Sequence, residues 1–404
     1  MDSVAFLREK FRGYYKSNVI EGPPDIARRE FGFGEFGKKI SSRHLAFSGK
    51  GELNRFLREQ TPFFISYSAA YYEFPSARPM QAKVMQKSDL IYEFDADDIK
   101  TDCKQTHDSW SCSCGAAGKG KISNCTKCGL GVKVDEWVCP ECLGAVKSQA
   151  RRLLDFLEND FGISGGFFFN FSGSKGFHIH VRSGAFSFLS STGRVELADY
   201  LTAHGLDFER LGFVFLKGKR FVCPQFSTAS GWGKRILFGL SELFERGDAE
   251  EIAALGCVSE KTAVQVLSNK ESVLSGFERG VLFSLPGAKT QKFWLSLLGF
   301  VSEKQKLGID RQTSIDSAKI IRVPDTIHGS TGLLAKEFTR DELGEFDGLS
   351  DGVIFSGKPI KLKSVSAPRF YLGKQWWGPF DRQDAELPEF VGIYLLSKGH
   401  AQIA

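Results

Sequence analysis

Seven of the nine cysteines fall between Cys103 and Cys142, and they are spaced for metal. With His107 they read Cys103-x3-His107, Cys112-x-Cys114, Cys125-x2-Cys128 and Cys139-x2-Cys142. Close-set thiolate pairs can fold back onto a tetrahedral ion. Disulfide frameworks belong instead to short secreted chains. The rest of this stretch is rich in Gly and Lys and too polar to bury a core of its own, so it reads as a metal-stapled insertion in a larger protein. The eight ligands suffice for two Zn²⁺ ions, and the spacing leaves two pairings open. In one, Cys103, His107, Cys139 and Cys142 share an ion while Cys112, Cys114, Cys125 and Cys128 share another. In the other, the two Cys-x2-Cys pairs join into a ribbon. No coordination position is evidently left open, which favours structural over catalytic zinc. Cys223 and Cys257 lie far outside the cluster and read as small buried hydrophobes.

Just before the cysteines stands an apolar strand, Leu90-Ile91-Tyr92-Glu93-Phe94-Asp95, followed by Ala96-Asp97. Alternation sends Leu90, Tyr92 and Phe94 to one face and Asp95 and Asp97 to the other. Two carboxylates on one face repel unless something positive lies between them, and a divalent cation is the usual answer. A solvated acidic turn, extended by Asp98, is the plain alternative.

At 404 residues, with 42% hydrophobic and 25% charged side chains, the chain is long enough for two or three globular domains. The 37 Phe against 3 Met suggest core packing rather than a binding stripe. A formal charge of +5 permits nucleic-acid contact without demanding it. The segment from Met1 to Lys10 is charged and carries no signal-peptide core, and no apolar run approaches the ~18 residues of a membrane span. A cytoplasmic protein is expected, with no membrane partner.

Along the chain, residues 1–30 are helix-rich. After Arg29-Glu30-Phe31-Gly32-Phe33 comes a strand-like stretch to Arg43-His44, and Phe63–Ala70 is a short apolar strand. A helix from Leu143 carries Val146, Ala150, Leu153, Leu154, Leu157 and Phe161 at helical spacing and ends at Gly162. Residues 236–304 are helical, with Asp248 and Glu251 as a capping box. A strand covers Lys319–Val323, the tail near Trp376 is irregular, and Val391–Leu396 suits a last strand. Strands and helices do not alternate strictly, so the fold class is α+β.

Between two strands, Phe167–Phe171 and Phe177–Arg182, lies Ser172-Gly173-Ser174-Lys175-Gly176. Small residues let backbone N–H groups approach an anion, and Lys175 adds a charge. His178, His180 and Arg182 share the polar face that follows. The stretch Thr313–Pro324 adds a third acid, Asp316, and the cation Arg322, with His328 beyond it. Three carboxylates that could hold two divalent metals, and cations that could grip a triphosphate, suggest one phosphoryl-transfer chemistry.

In this order, Arg29-Glu30-Phe31-Gly32-Phe33, Arg43-His44, Asp95-Ala96-Asp97, the Cys/His cluster, Ser172-Gly173-x-Lys175-Gly176-x-His178 and Asp316…Arg322…His328 resemble the catalytic small subunit of archaeal and eukaryotic DNA primase. The resemblance runs from about residue 29 to the end. It implies a mixed α/β catalytic domain (1–102, 143–235 and 305–404) with an inserted zinc-binding module (103–142) and a small helical subdomain (236–304). It implies that Asp95, Asp97 and Asp316 hold Mg²⁺ or Mn²⁺, and that Ser172, Lys175, His178, Arg322, His328 and Arg43 contact the nucleotide. It favours Cys103, His107, Cys139 and Cys142 as the ancestral Zn²⁺ site. Cys112, Cys114, Cys125 and Cys128 then form an added one within an extra stretch, roughly Ser113 to Val138. Lys175 stands where Arg is frequent, which keeps the charge but loses the bidentate fork. The implied function is synthesis of short RNA primers from nucleoside triphosphates on single-stranded DNA, in a heterodimer with a large primase subunit. Two other readings remain: a primase-polymerase extending strands in repair or mobile-element replication, and a non-catalytic zinc-bearing nucleic-acid-binding subunit.

Overall fold

The computed structural model describes residues 2–216, 220–285, 289–309 and 314–404. Thr313, and residues 286–288 of the expected helical span, lie outside these. The chain divides into two units, residues 1–151 with 165–195 and 308–404, and residues 152–164 with 196–307.

The first unit is built on two four-stranded sheets. One has the order Ile320–Arg322, Phe64–Ser68, Phe31–Gly34, Ser42–Leu45; the other has Glu337–Phe338, Phe167–Phe171, Gly176–Val181, Leu90–Asp95. Every pairing in them is antiparallel, so the α+β mixture is one of helices with sheets. Alternation does the sorting in the second sheet. Phe169, Phe171, Phe177, Ile179, Tyr92 and Phe94 are at most 2% exposed and line one face. There Phe338 stacks on Phe346 with ring centroids 4.1 Å apart. The opposite face carries the polar residues, and it meets the first sheet where Tyr67 stacks on His180 at 5.9 Å.

A buried ion cluster ties these sheets together. Arg29 reaches Asp89 at 3.0 Å, and Arg182 reaches the same carboxylate at 3.2 Å. His180 and Arg182 were expected to extend an anion-binding face. His180 is instead stacked on Tyr67, and Arg182 is drawn into the ion cluster.

The cysteine-rich stretch forms a three-stranded sheet of Ser109–Ser111 between Ala117–Lys119 and Lys133–Asp135. The following helix starts at Pro140, so Cys142 is in its first turn. It ends at Asn159, Gly162 closes it with φ +67°, and Phe161 is exposed beyond it. Val391–Leu396, expected as a strand, is inside a helix, Glu389–Lys398. Its run of apolar residues satisfies a buried helix as well as a strand, a known ambiguity of short runs. The tail near Trp376 is a hairpin of Phe370–Leu372 with Gln375–Trp377.

The second unit is mostly helical, with helices Gly231–Arg246, Ala249–Gly256, Glu260–Ser268, Lys270–Arg279 and Thr290–Gln305. Helix formation thus begins before residue 236, and the unit also takes in residues 152–164 and 196–235. Trp294 is fully buried against Phe244, Phe277 and Phe293. The Asp248 side chain accepts the Glu251 N–H, as expected of a cap. Cys223 is buried, but Cys257 is exposed, because it occupies the left-handed position that ends a helix. No helix among the described residues is long and apolar enough to cross a membrane.

Candidate active site

The Leu90–Asp95 strand stops at Asp95, and Ala96–Asp98 is a single 3₁₀ turn. Strict alternation therefore does not extend to Asp97; the turn, not the pleat, presents it. Asp95 lies directly across from Gly176 of the hairpin strand. A Cβ at Gly176 would run into the Phe94 carbonyl and the Asp95 carboxylate, so only glycine lets the anion-binding turn come this close.

Like charges crowd this corner. Burial, then Glu93, Asp97 and Asp98, push the Asp95 carboxyl up to about 6. Asp97 is also raised, chiefly by burial, against the pull of Lys175. The Lys175 ammonium pairs with Asp97 and lies 2.6 Å from Glu136, which Lys121 also contacts at 2.6 Å. Acids buried beside one another, with one lysine among them, can take up further positive charge, and a divalent cation supplies it. Asp95 and Asp97 therefore fit a metal, judged by their own chemistry. Asp316 sits in the segment leading to the Ile320–Arg322 strand, where its Oδ1 accepts the Ala318 N–H at 2.9 Å. Among the described residues, the three acids do not converge within 4.8 Å of one another.

The turn itself is organised by one hydroxyl. Ser172 Oγ accepts the N–H groups of Ser174, Lys175 and Gly176, each at 3.2 Å. Gly173 has φ +76°, and a Cβ there would come within 2.7 Å of the His328 Cβ, so His328 packs onto the turn. Thr331 bridges them, donating to the Gly173 carbonyl and lying 3.2 Å from His328 Nδ1. Burial holds His328 well below the ordinary histidine range, and burial holds His178 down to about 4, so both are neutral at pH 7. Arg322 lies 4.6 Å over the Phe64 ring, which also faces His328 at 5.1 Å. Arg43 is forked onto the buried Glu30, at 3.0 and 3.2 Å.

Several residues at the site were not singled out from sequence. Glu93 pairs with Lys319 and lies 3.6 Å from His178. The signal was available, since Glu93 is two residues before Asp95 on the same face. Glu136 and Lys398, whose ammonium donates to the Glu136 carbonyl at 3.0 Å, had none.

The cysteines form two separate groups, Cys103, His107, Cys139, Cys142 and Cys112, Cys114, Cys125, Cys128, each with ligand atoms within 4.8 Å. In the first, Cys142 Sγ is 3.4 Å from Cys103 Sγ, 3.8 Å from Cys139 Sγ and 3.3 Å from His107 Nε2. In the second, Cys112 and Cys128 are 3.5 Å apart and Cys114 and Cys125 are 3.7 Å apart. A tetrahedral ion with ~2.3 Å bonds to sulfur sets sulfurs about 3.8 Å apart. Either group could hold a metal ion. His107 Nδ1 lies 2.8 Å from the Asp108 carboxylate, the kind of outer partner that orients a ligating imidazole. The ribbon pairing of the two Cys-x2-Cys motifs is not adopted.

A family model described as DNA primase small subunit matches residues 134–340. The chain belongs to the DNA primase small subunit family. Over 98% of its length it is 29% identical to the DNA primase small subunit PriS of Methanothrix thermoacetophila, itself covered over 98%. The PriS proteins of Methanosarcina barkeri (28% identical, 99% of this chain and 96% of that one) and Methanocella arvoryzae (29%, 98% and 98%) are similar at the same scale. Membership of this primase family makes the chain a nucleotidyltransferase-type enzyme, and the strand-extending and non-catalytic readings are not favoured.

Proposed function

We propose that this chain is the catalytic subunit of a primase that joins nucleoside triphosphates into short RNA primers on single-stranded DNA. The observation that carries the reading is the contact of two unlike sites. Acids held back from ionising by burial and by one another abut, through Gly176, a tight turn that brings a lysine to them. One suits divalent cations and the other suits phosphates, which is what nucleotidyl transfer requires.

Asp95, Asp97 and Asp316 would hold Mg²⁺ or Mn²⁺. When bound, such an ion lowers the pKa of a 3′-hydroxyl and neutralises phosphate charge. Ser172 and Lys175 would orient the triphosphate, with His178, Arg322 and His328 along its tail and Arg43 at the pocket's edge. The 3′-hydroxyl gives its proton to solvent as its oxygen bonds to the α-phosphorus, the bond from that phosphorus to the bridging oxygen breaks, and pyrophosphate leaves. Fixed donors stabilise the charge that gathers on the departing oxygens. Neutral His178 and His328 donate hydrogen bonds without competing for the metal's positive role. The two Cys-rich groups would hold structural Zn²⁺, keeping the polar insertion folded. A large primase subunit would be the partner in initiation.

The test is primer synthesis on an unprimed single-stranded template, with ribo- or deoxynucleotides, with and without the partner subunit. Ribonucleotide primers that vanish in Asp95→Ala and Asp97→Ala, with both variants folded, are expected. Wild-type synthesis by the folded double variant would overturn the assignment of the acids. Exclusive use of deoxynucleotides on primed strands would overturn the primase reading.

A further inference from the structure

Eight buried side-chain nitrogen and oxygen atoms lack a hydrogen-bond partner among the described residues, and five of them belong to three residues. These are Asn170 (Oδ1 and Nδ2), His178 (Nδ1) and Arg322 (Nε and Nη1). Asn170 and His178 face each other across the hairpin, so their side chains share a face. The same row continues to Glu93 on one side and Glu337 on the other. Arg322 acts electrostatically on both His178 and Glu93, which brings it to the same spot from the other sheet. A buried group without a partner is costly, and a native structure keeps such groups together where a ligand completes them.

The chemistry of that ligand can be read from what is missing. Glu93 is already answered by Lys319, while Arg322 Nε and Nη1 have no hydrogen-bond partner among the described residues. Most of the unanswered groups are donors. Asn170 is 2% exposed and His178 is 7% exposed, so a group that meets them is compact rather than a base. A small oxyanion fits. The His178–Glu93 row lies two residues along the strand from the Gly176–Asp95 row, about 7 Å. That is within reach of the tail of a triphosphate whose first phosphate lies at the acids.

We propose that Asn170 is a specificity-determining residue that, with His178 and Arg322, grips the terminal phosphate of the incoming nucleotide and so selects triphosphates over diphosphates. The proposal rests on the reading of this turn and strand as the phosphate-holding side of the site. Asn170 Nδ2 donates to the phosphate, as do Arg322 Nε and Nη1, none of which has a hydrogen-bond partner among the described residues.

The experiment is equilibrium titration of the full chain with the tri- and diphosphate of one nucleoside, in Mg²⁺ and without template. The wild type should prefer the triphosphate by 10-fold or more. Asn170→Leu and Asn170→Asp should each weaken triphosphate binding roughly 10- to 100-fold, with diphosphate binding unchanged. Asn170→Ser, the smallest change, should give a partial loss and serves if the others do not fold. A wild type indifferent to the third phosphate, or folded variants that keep the preference, would overturn the proposal. Equal loss of both nucleotides would reduce Asn170 to a structural role. Failure of the underlying reading looks different: the wild type would bind neither nucleotide.

Discussion

The ammonium of Lys175 is ion-paired with the carboxylate of Asp97, joining the anion-binding turn to the acid pair before any ligand is bound. One cation is thus shared between two tasks: it eases the repulsion among Asp97, Glu136 and Asp95, and it is the charge offered to a phosphate. Removing it should move those tasks in opposite directions. In Lys175→Met, Mn²⁺ binding measured without nucleotide should tighten about 5-fold, because the acids lose an internal competitor of partly exposed, ~1 kcal/mol strength. The KM for nucleotide should rise by at least about 10-fold. Lys175→Arg should restore nucleotide binding. Loss of metal and nucleotide affinity together would mean that the two groups do not form one site.

Asp95 makes the acid side of the pH profile predictable. Its folded carboxyl is raised from 3.8 to about 6, so between those values the folded state holds more protons than the unfolded one. Stability must then fall as pH rises through that window, and the penalty is fully present above about pH 6. Asp95→Asn should therefore abolish synthesis yet stabilise the metal-free protein at pH 7.5, by about 1–2 kcal/mol after allowance for partial exposure. Adding Mg²⁺ or Mn²⁺ should raise the melting temperature of the wild type and not of the variant. A variant less stable than wild type at pH 7.5 would refute the crowding argument.

The two cysteine groups differ in burial, and their loss should differ accordingly. Cys142 is fully buried and touches both Cys103 and His107. Cys112 is half-buried, and Cys114 and Cys128 are exposed. Metal analysis should find two zinc ions per chain, falling to one in Cys114→Ser and in Cys142→Ser. Cys114→Ser should leave the melting temperature within a few degrees of wild type. Cys142→Ser should lower it sharply, because a structural ion and part of the core are lost together. One zinc in the wild type would refute the second site.

The sequence made the sorting of each strand legible where one face was uniformly apolar, as in Phe177–Arg182 and Leu90–Asp95. It failed where geometry departs from a fixed period. Asp97 is delivered by a 3₁₀ turn after the strand, and Val391–Leu396 is helical because a fully buried run carries no period to read. The metal-ligand grouping was open because thiol spacing constrains neighbours along the chain, not partners across a fold. Glu136 and Lys398 come to the site from distant segments, so only tertiary packing brings them there. Arg182 and His180 were legible as a polar face, yet their partners, Asp89 and Tyr67, lie on other strands.

Those partners carry the last prediction. Asp89 is 1% exposed and accepts from Arg29 at 3.0 Å, Tyr71 at 3.0 Å and Arg182 at 3.2 Å. Arg29 is fully buried and also donates to the Ser68 and Ala69 carbonyls. Asp89→Ala would strand a buried guanidinium without its counter-charge, which costs about 3–5 kcal/mol. Replacing Asp89 and Arg29 together, Asp89→Leu with Arg29→Met, should recover only part of that loss, because the fully buried guanidinium is gone while Arg182 still lacks its carboxylate. Denaturant unfolding of the two variants measures this directly. The cluster ties the two sheets on which the site is built, so activity of Asp89→Ala should track the folded fraction rather than fall further. A fully folded Asp89→Ala with unchanged stability would show that Arg29 finds its counter-charge elsewhere.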